Sequence, residues 1–181
     1  MNLQSLSKFL SYLLRHHPQE IGLSVDDHGW ARVDDLIEKA KRHGKELTRD
    51  QLCAVINHGE KQRFILTDDE QFIRAGYGHS IDVDLQLRSK APPEILFHGT
   101  AKKNVDAILA GGLHSRSRNF VHLSAQKADA KQVGGRHGSP VILEIRSAAM
   151  WDEDHEFYQS ESEPDIWLTK RVPPEYLCLS S

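Results

Sequence analysis

Apolar residues at Leu3, Leu6, Phe9, Leu10, Leu13 and Leu14 recur with the three-and-four spacing of one helical face, and Pro18 ends the run. The spacing predicts a helix whose C-terminus carries Arg15, His16 and His17 beside the core-facing Leu13 and Leu14. A second helix is predicted over 33–43, with Gly44 suited to the position just past its end. A third begins after Thr48, an N-cap with Gln51 three residues later, and runs to about Asn57. Two short apolar runs, 63–67 and 71–74, flank the polar Asp68-Asp69-Glu70 and predict a hairpin. Helices followed by a hairpin suggest a winged-helix-like lobe over residues 1–75. A small α+β domain of another topology is the alternative.

Residues 76–93 mix glycine, charge and proline and read as a connector. Beyond it the rhythm changes. Short apolar runs at 95–97, 121–123, 141–145 and 166–168 are strand candidates. An amphipathic helix is predicted over 103–110, ending at Gly111-Gly112, and another over 125–133. The fold class expected is therefore α+β, with residues 94–181 forming a second, mixed α/β lobe.

Composition narrows the picture a little. The chain has 181 residues, 39% hydrophobic and 27% charged, the balance of a globular rather than a disordered protein. No apolar run approaches a membrane span, and the first residues lack a signal-peptide pattern. Cys53 and Cys178 stand far apart with no C-x-x-C spacing, so neither a disulfide framework nor a structural zinc site is expected, and a cytoplasmic location fits best. The formal charge of −3 argues against a broadly basic nucleic-acid-binding surface. RNA, if bound, must be held by a local basic pocket.

Four stretches could carry chemistry. Arg15-His16-His17 at a helix end complements the helix dipole, but it could equally be an anion site in which Arg15 forks onto phosphate oxygens. Arg63, in Lys61-Gln62-Arg63-Phe64, is either a solvated strand-edge residue or a second cation for the same anion. Arg136, in Gly134-Gly135-Arg136-His137-Gly138, lies in an ordinary turn or in a loop that lets backbone approach a ligand. His98-Gly99-Thr100 follows an apolar strand, a good place for a ribose and a planar ring. His122 and Ser124 share a strand face, although His122 could simply be a half-buried strand histidine. No H-E-x-x-H, Walker A, G-x-G-x-x-G or G-x-S-x-G pattern is present, so no metal site is expected despite eleven histidines.

Taken in order, these stretches resemble the RNA (tRNA) 2′-phosphotransferase family over nearly the whole chain. The markers are Leu14-Arg15-His16-His17-Pro18, Asp27-His28-Gly29-Trp30, Lys61-Gln62-Arg63-Phe64, Ile73-Arg74-Ala75 and Gly78-His79-Ser80. They continue with Phe97-His98-Gly99-Thr100, Gly112-Leu113, Arg118, Val121-His122-Leu123-Ser124, Arg136-His137-Gly138 and Trp167-Leu168-Thr169. The resemblance implies a winged-helix RNA lobe followed by an ADP-ribosyltransferase-like lobe that binds NAD. It implies that an internal RNA 2′-phosphate is transferred to ADP-ribose through a 2′-phospho-ADP-ribosylated RNA. The products would be RNA with a free 2′-hydroxyl, nicotinamide and ADP-ribose 1″,2″-cyclic phosphate.

By the same resemblance, Arg15, His16, Arg63 and Arg136 surround the 2′-phosphate, and the site forms between the two lobes. His98, Gly99, Thr100, His122 and Ser124 would bind NAD, with Arg118 on its pyrophosphate. The partners implied are RNA and NAD, tRNA splicing is the implied context, and a monomer is the default. Two departures stand out. Residues 160–165, Ser-Glu-Ser-Glu-Pro-Asp, are longer and more acidic than the family's Asn-Gly at this place, which bears on that wall of the NAD pocket, and Arg116 replaces a methionine. Two rival readings are a non-enzymatic winged-helix binding protein and an ADP-ribosyltransferase that stops after the first step.

Overall fold

The computed structural model describes residues 2–59 and 61–180. The chain divides into two compact units, one of Met1–Gln86 with Glu161–Glu163, the other of Leu87–Ser160 with Pro164–Ser181.

The first unit begins with α1 (Leu3–Arg15), which the Asn2 side chain caps by accepting from Ser5 N–H at 2.8 Å. Its apolar stripe Leu6, Leu10, Leu13 and Leu14 is fully buried. A short strand β1 (Ala31–Arg32) leads into α2 (Val33–Arg42), and α3 (Arg49–His58) follows. The capping box expected at Thr48 forms: Thr48 Oγ1 accepts from Gln51 N–H at 3.2 Å, and Gln51 Oε1 accepts from Thr48 N–H at 3.1 Å. Leu36 and Ala40 of α2 and Leu52 and Val55 of α3 close a core over α1. Removing one of its fully buried leucine side chains costs about 2–5 kcal/mol by the usual cavity penalty.

The hairpin is β2 (Phe64–Leu66) and β3 (Phe72–Ala75), antiparallel with Phe64 opposite Ala75 and Leu66 opposite Ile73. Strand β1, too short to read from pattern, pairs with the other edge of β3 to give the order β1-β3-β2. Asp69 builds the turn: its carboxylate accepts from the Thr67 hydroxyl at 2.6 Å and from Gln71 N–H at 3.1 Å. Those bonds, the Thr67 one foremost, hold the carboxyl below its ordinary pKa.

Residues 76–86, expected as part of a connector, belong to the first unit. Tyr77, Gly78, His79 and Leu85 are buried, Ser80 N–H donates to Arg15 C=O at 3.0 Å, and Asp84 N–H donates to Asp27 C=O at 2.8 Å. The acidic departure also contributes here. Glu161 pairs with the buried Arg74 at 2.6 Å, and Ser162 fills the space beside Gly76, where an added Cβ would lie 2.0 Å from Ser162 Oγ.

The second unit is built on a six-stranded sheet. In chain order its elements are β4 (Leu96–Ala101), α4 (Val105–Gly111), β5 (Leu113–His114), β6 (Val121–Ser124), α5 (Lys127–Gly134), β7 (Pro140–Ile145), α6 (Ser147–Asp152), β8 (Tyr158–Gln159), β9 (Ile166–Thr169), β10 (Arg171–Val172) and β11 (Leu177–Leu179). The strand order is β11-β7-β4-β6-β9-β8, every neighbouring pair antiparallel, while β10 and β5 pair separately. Leu96, Leu123, Leu143, Ile145, Met150, Phe157 and Trp167 form its core. Helix α5 lies so close on β4 that an added Cβ at Gly99 would stand 1.6 Å from Ala130 C=O. Among the described residues no helix is long and apolar enough to cross a membrane.

Candidate functional site

Arg15 ends α1 immediately after the core residue Leu14, so its stem begins in the apolar interior and only 8% of the residue is exposed. Segment 77–81 wraps it. The Arg15 guanidinium lies 4.5 Å from the Tyr77 ring centroid, a cation–π contact. Gly78 takes φ +88°, and a Cβ there would stand 3.3 Å from Arg15 Nη1, so both backbone conformation and space call for glycine. The N–H groups of Ser80 and Ile81 donate to Arg15 C=O at 3.0 and 3.4 Å, which satisfies a carbonyl at the open end of α1. His16, already out of the helix at φ −132°, places Nδ1 2.8 Å from Ser80 Oγ.

Between these two contacts sits His79, only 3% exposed, with neither ring nitrogen hydrogen-bonded among the described residues. Burial, then the neighbouring Arg15, His16 and Arg74, push its pKa down to about 4. The ring is therefore neutral at pH 7 although two arginines lie close to it. Arg74 is buried as well, its guanidinium 4.6 Å from the Trp30 ring centroid and paired with Glu161. Arg63 is half-buried immediately before β2, donating from Nη1 to Lys61 C=O at 3.4 Å, and its own carbonyl accepts from Gly76 N–H at 2.9 Å. Arg15, His16 and Arg63 thus all border the stretch 76–81, which sequence reasoning marked only as connector and motif.

In the second unit, β4 and β6 share the single register pair Phe97–Ser124. Where the ladder would continue, His98 Nδ1 donates to His122 C=O at 3.1 Å. A carbonyl only accepts, so Nδ1 carries the proton and neutral His98 presents Nε2 as an acceptor. Burial lowers the His98 pKa, partly offset by that hydrogen bond, which favours this neutral form. His122 Nδ1 donates in the same way to Phe120 C=O at 3.1 Å.

The neighbouring candidates are occupied within the unit. Thr100 Oγ1 accepts from Asn104 Nδ2 at 3.4 Å. The Ser124 hydroxyl donates to Gln126 C=O and accepts from Gln126 N–H, both at 3.0 Å, shaping the entry to α5. Gly99 is small because α5 approaches it. Arg118 lies in the turn before β6 and Arg136 in the 3-10 turn Gly135–His137, both exposed. Among the described residues no cluster of His, Cys, Asp or Glu is arranged to hold a metal ion.

A family model described as "RNA 2′-phosphotransferase, Tpt1 / KptA family" matches residues 2–171. The chain belongs to this RNA 2′-phosphotransferase family. Among its relatives, a protein of Flavobacterium johnsoniae is 46% identical over 174 residues, which cover 96% of this chain and 94% of the relative. One from Hahella chejuensis is 47% identical over 177 residues, 98% and 94% of the two chains. One from Pseudomonas aeruginosa is 47% identical over 176 residues, 97% and 96% of the two chains. All three carry the name "Probable RNA 2′-phosphotransferase". In this member of the RNA 2′-phosphotransferase family the match spans residues of both units, so Arg15, His16 and Arg63 of the first and His98, His122, Arg118 and Arg136 of the second all fall within it.

Proposed function

We propose that the protein is an RNA 2′-phosphotransferase that consumes NAD. It removes an internal 2′-phosphate from RNA, leaving a 2′-hydroxyl and releasing nicotinamide and ADP-ribose 1″,2″-cyclic phosphate. The observation that carries this reading is the family match over residues 2–171, joined to the buried, clamped Arg15 beside His16. The first unit serves as a winged-helix-like RNA lobe and the second as an ADP-ribosyltransferase-like lobe.

Arg15 and Arg63 hold the phosphate, and their permanent charge stabilises the oxygens while negative charge is redistributed. Arg15 is held by the Tyr77 ring and the Gly78 backbone, so little reorganisation is needed when phosphate arrives. His16 donates a hydrogen bond to the phosphate or moves a proton at the RNA 2′-oxygen. The family resemblance adds Arg136 to this set and gives Arg118 the NAD pyrophosphate.

NAD, as co-substrate, supplies the ribose that accepts the phosphate. The donor set fits it in part. His98, neutral with Nε2 as an acceptor, and His122 suit ribose hydroxyls or a carboxamide, whereas the Ser124 hydroxyl both donates and accepts inside the second unit and the Thr100 hydroxyl accepts one bond there. The backbone of Gly99 stays a candidate contact on the strand. A phosphate acceptor is already anionic, so no separate base is needed to activate it.

The test is incubation of the purified protein with NAD and a short RNA bearing one internal 2′-phosphate, with products followed by mass. The expected result is loss of the phosphate with cyclic phosphate of ADP-ribose appearing. Accumulation of an ADP-ribosylated RNA would show a transferase that stops midway, and unchanged RNA bound to the protein would show a binding module.

A further inference from the structure

Resting on the assignment of His16 to the transferred phosphate, we propose that Ser80 is its positioning residue, whose hydroxyl donates to His16 Nδ1 and keeps the neutral ring's proton on Nε2. The contact is 2.8 Å long and joins residues 64 positions apart in sequence. It is also preset. The backbone N–H of the same Ser80 donates to Arg15 C=O, and the next N–H, of Ile81, reaches the same oxygen. The main chain of Ser80 is therefore tied to the end of α1 before its side chain touches His16. Gly78, two residues earlier, lies against the Arg15 guanidinium, and Tyr77 lies over it. One five-residue stretch thus orients both consecutive candidates, Arg15 through 77–78 and His16 through Ser80.

The choice of a hydroxyl matters chemically. A neutral imidazole has one donor and one acceptor nitrogen, and the partner of one nitrogen decides the role of the other. A carbonyl at Nδ1, the arrangement found at His98 and His122, would force the proton onto Nδ1 and turn Nε2 into an acceptor. An acceptor facing an anionic phosphate is repelled. A carboxylate at Nδ1 would raise the ring's pKa and favour the cation. A serine hydroxyl can donate to Nδ1 of the neutral ring and can accept from Nδ1–H of the imidazolium. With the hydroxyl as donor to the neutral ring, Nε2 carries its hydrogen in both protonation states.

The test compares Ser80→Ala, Ser80→Thr and His16→Ala in the full chain with NAD and 2′-phosphorylated RNA. Long-range proton–nitrogen spectra of the imidazoles are recorded in parallel, the His16 signals being assigned by their loss in His16→Ala. In the wild type His16 should show the Nε2–H tautomer. In Ser80→Ala it should become a mixture while kcat falls by about 10- to 100-fold, the range known for removing the hydrogen-bond partner that orients a metal-bound histidine, with KM for NAD unchanged. Ser80→Thr, which keeps the hydroxyl, should restore both the tautomer and most of kcat.

An Nε2–H tautomer that survives in Ser80→Ala, or wild-type kcat in that variant while His16→Ala is inactive, overturns the role of Ser80 alone. Normal turnover by His16→Ala overturns the assignment of His16 and this inference with it. The spectra need no turnover, so a loss of kcat through unfolding is recognised by collapse of all the imidazole signals rather than a change at His16, and Ser80→Thr then decides.

Discussion

Gly99 of β4 and Ala130 of α5 meet so closely that a methyl group on Gly99 would lie 1.6 Å from the Ala130 carbonyl oxygen. Gly134 answers from the helix side, where an added Cβ would stand 2.9 Å from Thr100 N. The two glycines let backbone rest on backbone, and the strand that carries His98 is placed by that contact. Gly99→Ala should therefore shift α5 and destabilise the protein by about 1–3 kcal/mol or more, the cost of overpacking a tight site. Gly111→Ala is the control, since an added Cβ there meets nothing within 4 Å. A urea midpoint that falls for Gly99→Ala and not for Gly111→Ala is the expected outcome.

Arg15 should not be replaceable by lysine. An ammonium lacks the planar fork that lies over Tyr77 and that phosphate oxygens would take in pairs. Arg15→Lys and Arg15→Ala should each lower kcat for 2′-phosphate removal by about 100- to 1000-fold, the range for losing one preorganised donor. Steady-state assays of the two variants beside Arg63→Ala check this, and turnover near wild type would dismiss the phosphate assignment.

His79 gives the fold an acid-labile point. Its folded pKa of about 4 lies below the ordinary 6.5, so as the pH falls the unfolded chain takes up a proton first. Stability should decline from pH 6.5 downward and level off below pH 4, a total loss of about 3 kcal/mol from this residue by linkage. His79→Leu, which cannot titrate, should show a flatter dependence between pH 6.5 and 4 in thermal melts recorded across that range. Parallel curves for the two proteins would contradict the argument.

Arg118 and Arg136 are both exposed arginines on turns of the second unit, and kinetics separate their roles. If Arg136 meets the transferred phosphate, Arg136→Ala should lower kcat with KM for NAD little changed. If Arg118 meets the pyrophosphate, Arg118→Ala should raise KM for NAD. The reverse pattern would exchange the two assignments.

Much of this was legible in the residues themselves. The leucine stripe of α1, the Thr48–Gln51 capping box and the paired apolar runs of the β2–β3 hairpin around their polar turn are local signals, and local bonds realise them. Two-residue strands such as β1, β5, β8 and β10 carry no periodicity to read. Segment 76–86 misled because Gly76, Gly78 and Ser80 look like linker residues. Its backbone donors are in fact used to close the end of α1, and the aromatic Tyr77 and the apolar Leu85 were the signals of burial. Gly99 stands out in the sequence only as the small residue of His98-Gly99-Thr100. The helix that packs on it lies some thirty residues downstream, a contact that spacing alone does not disclose. The Ser80–His16 bond is likewise long-range, so the motif Gly78-His79-Ser80 could be noticed without its purpose being read.

The membership of Glu161–Glu163 in the first unit has a consequence for biosynthesis. Arg74 is made early, but its carboxylate partner at Glu161 is translated after most of the second unit. A nascent chain halted after residue 86 would hold a guanidinium without its counter-charge and a glycine without its cover. The ribosome must release nearly the whole polypeptide before the N-terminal lobe is whole, so that lobe, though first off the template, is completed among the last.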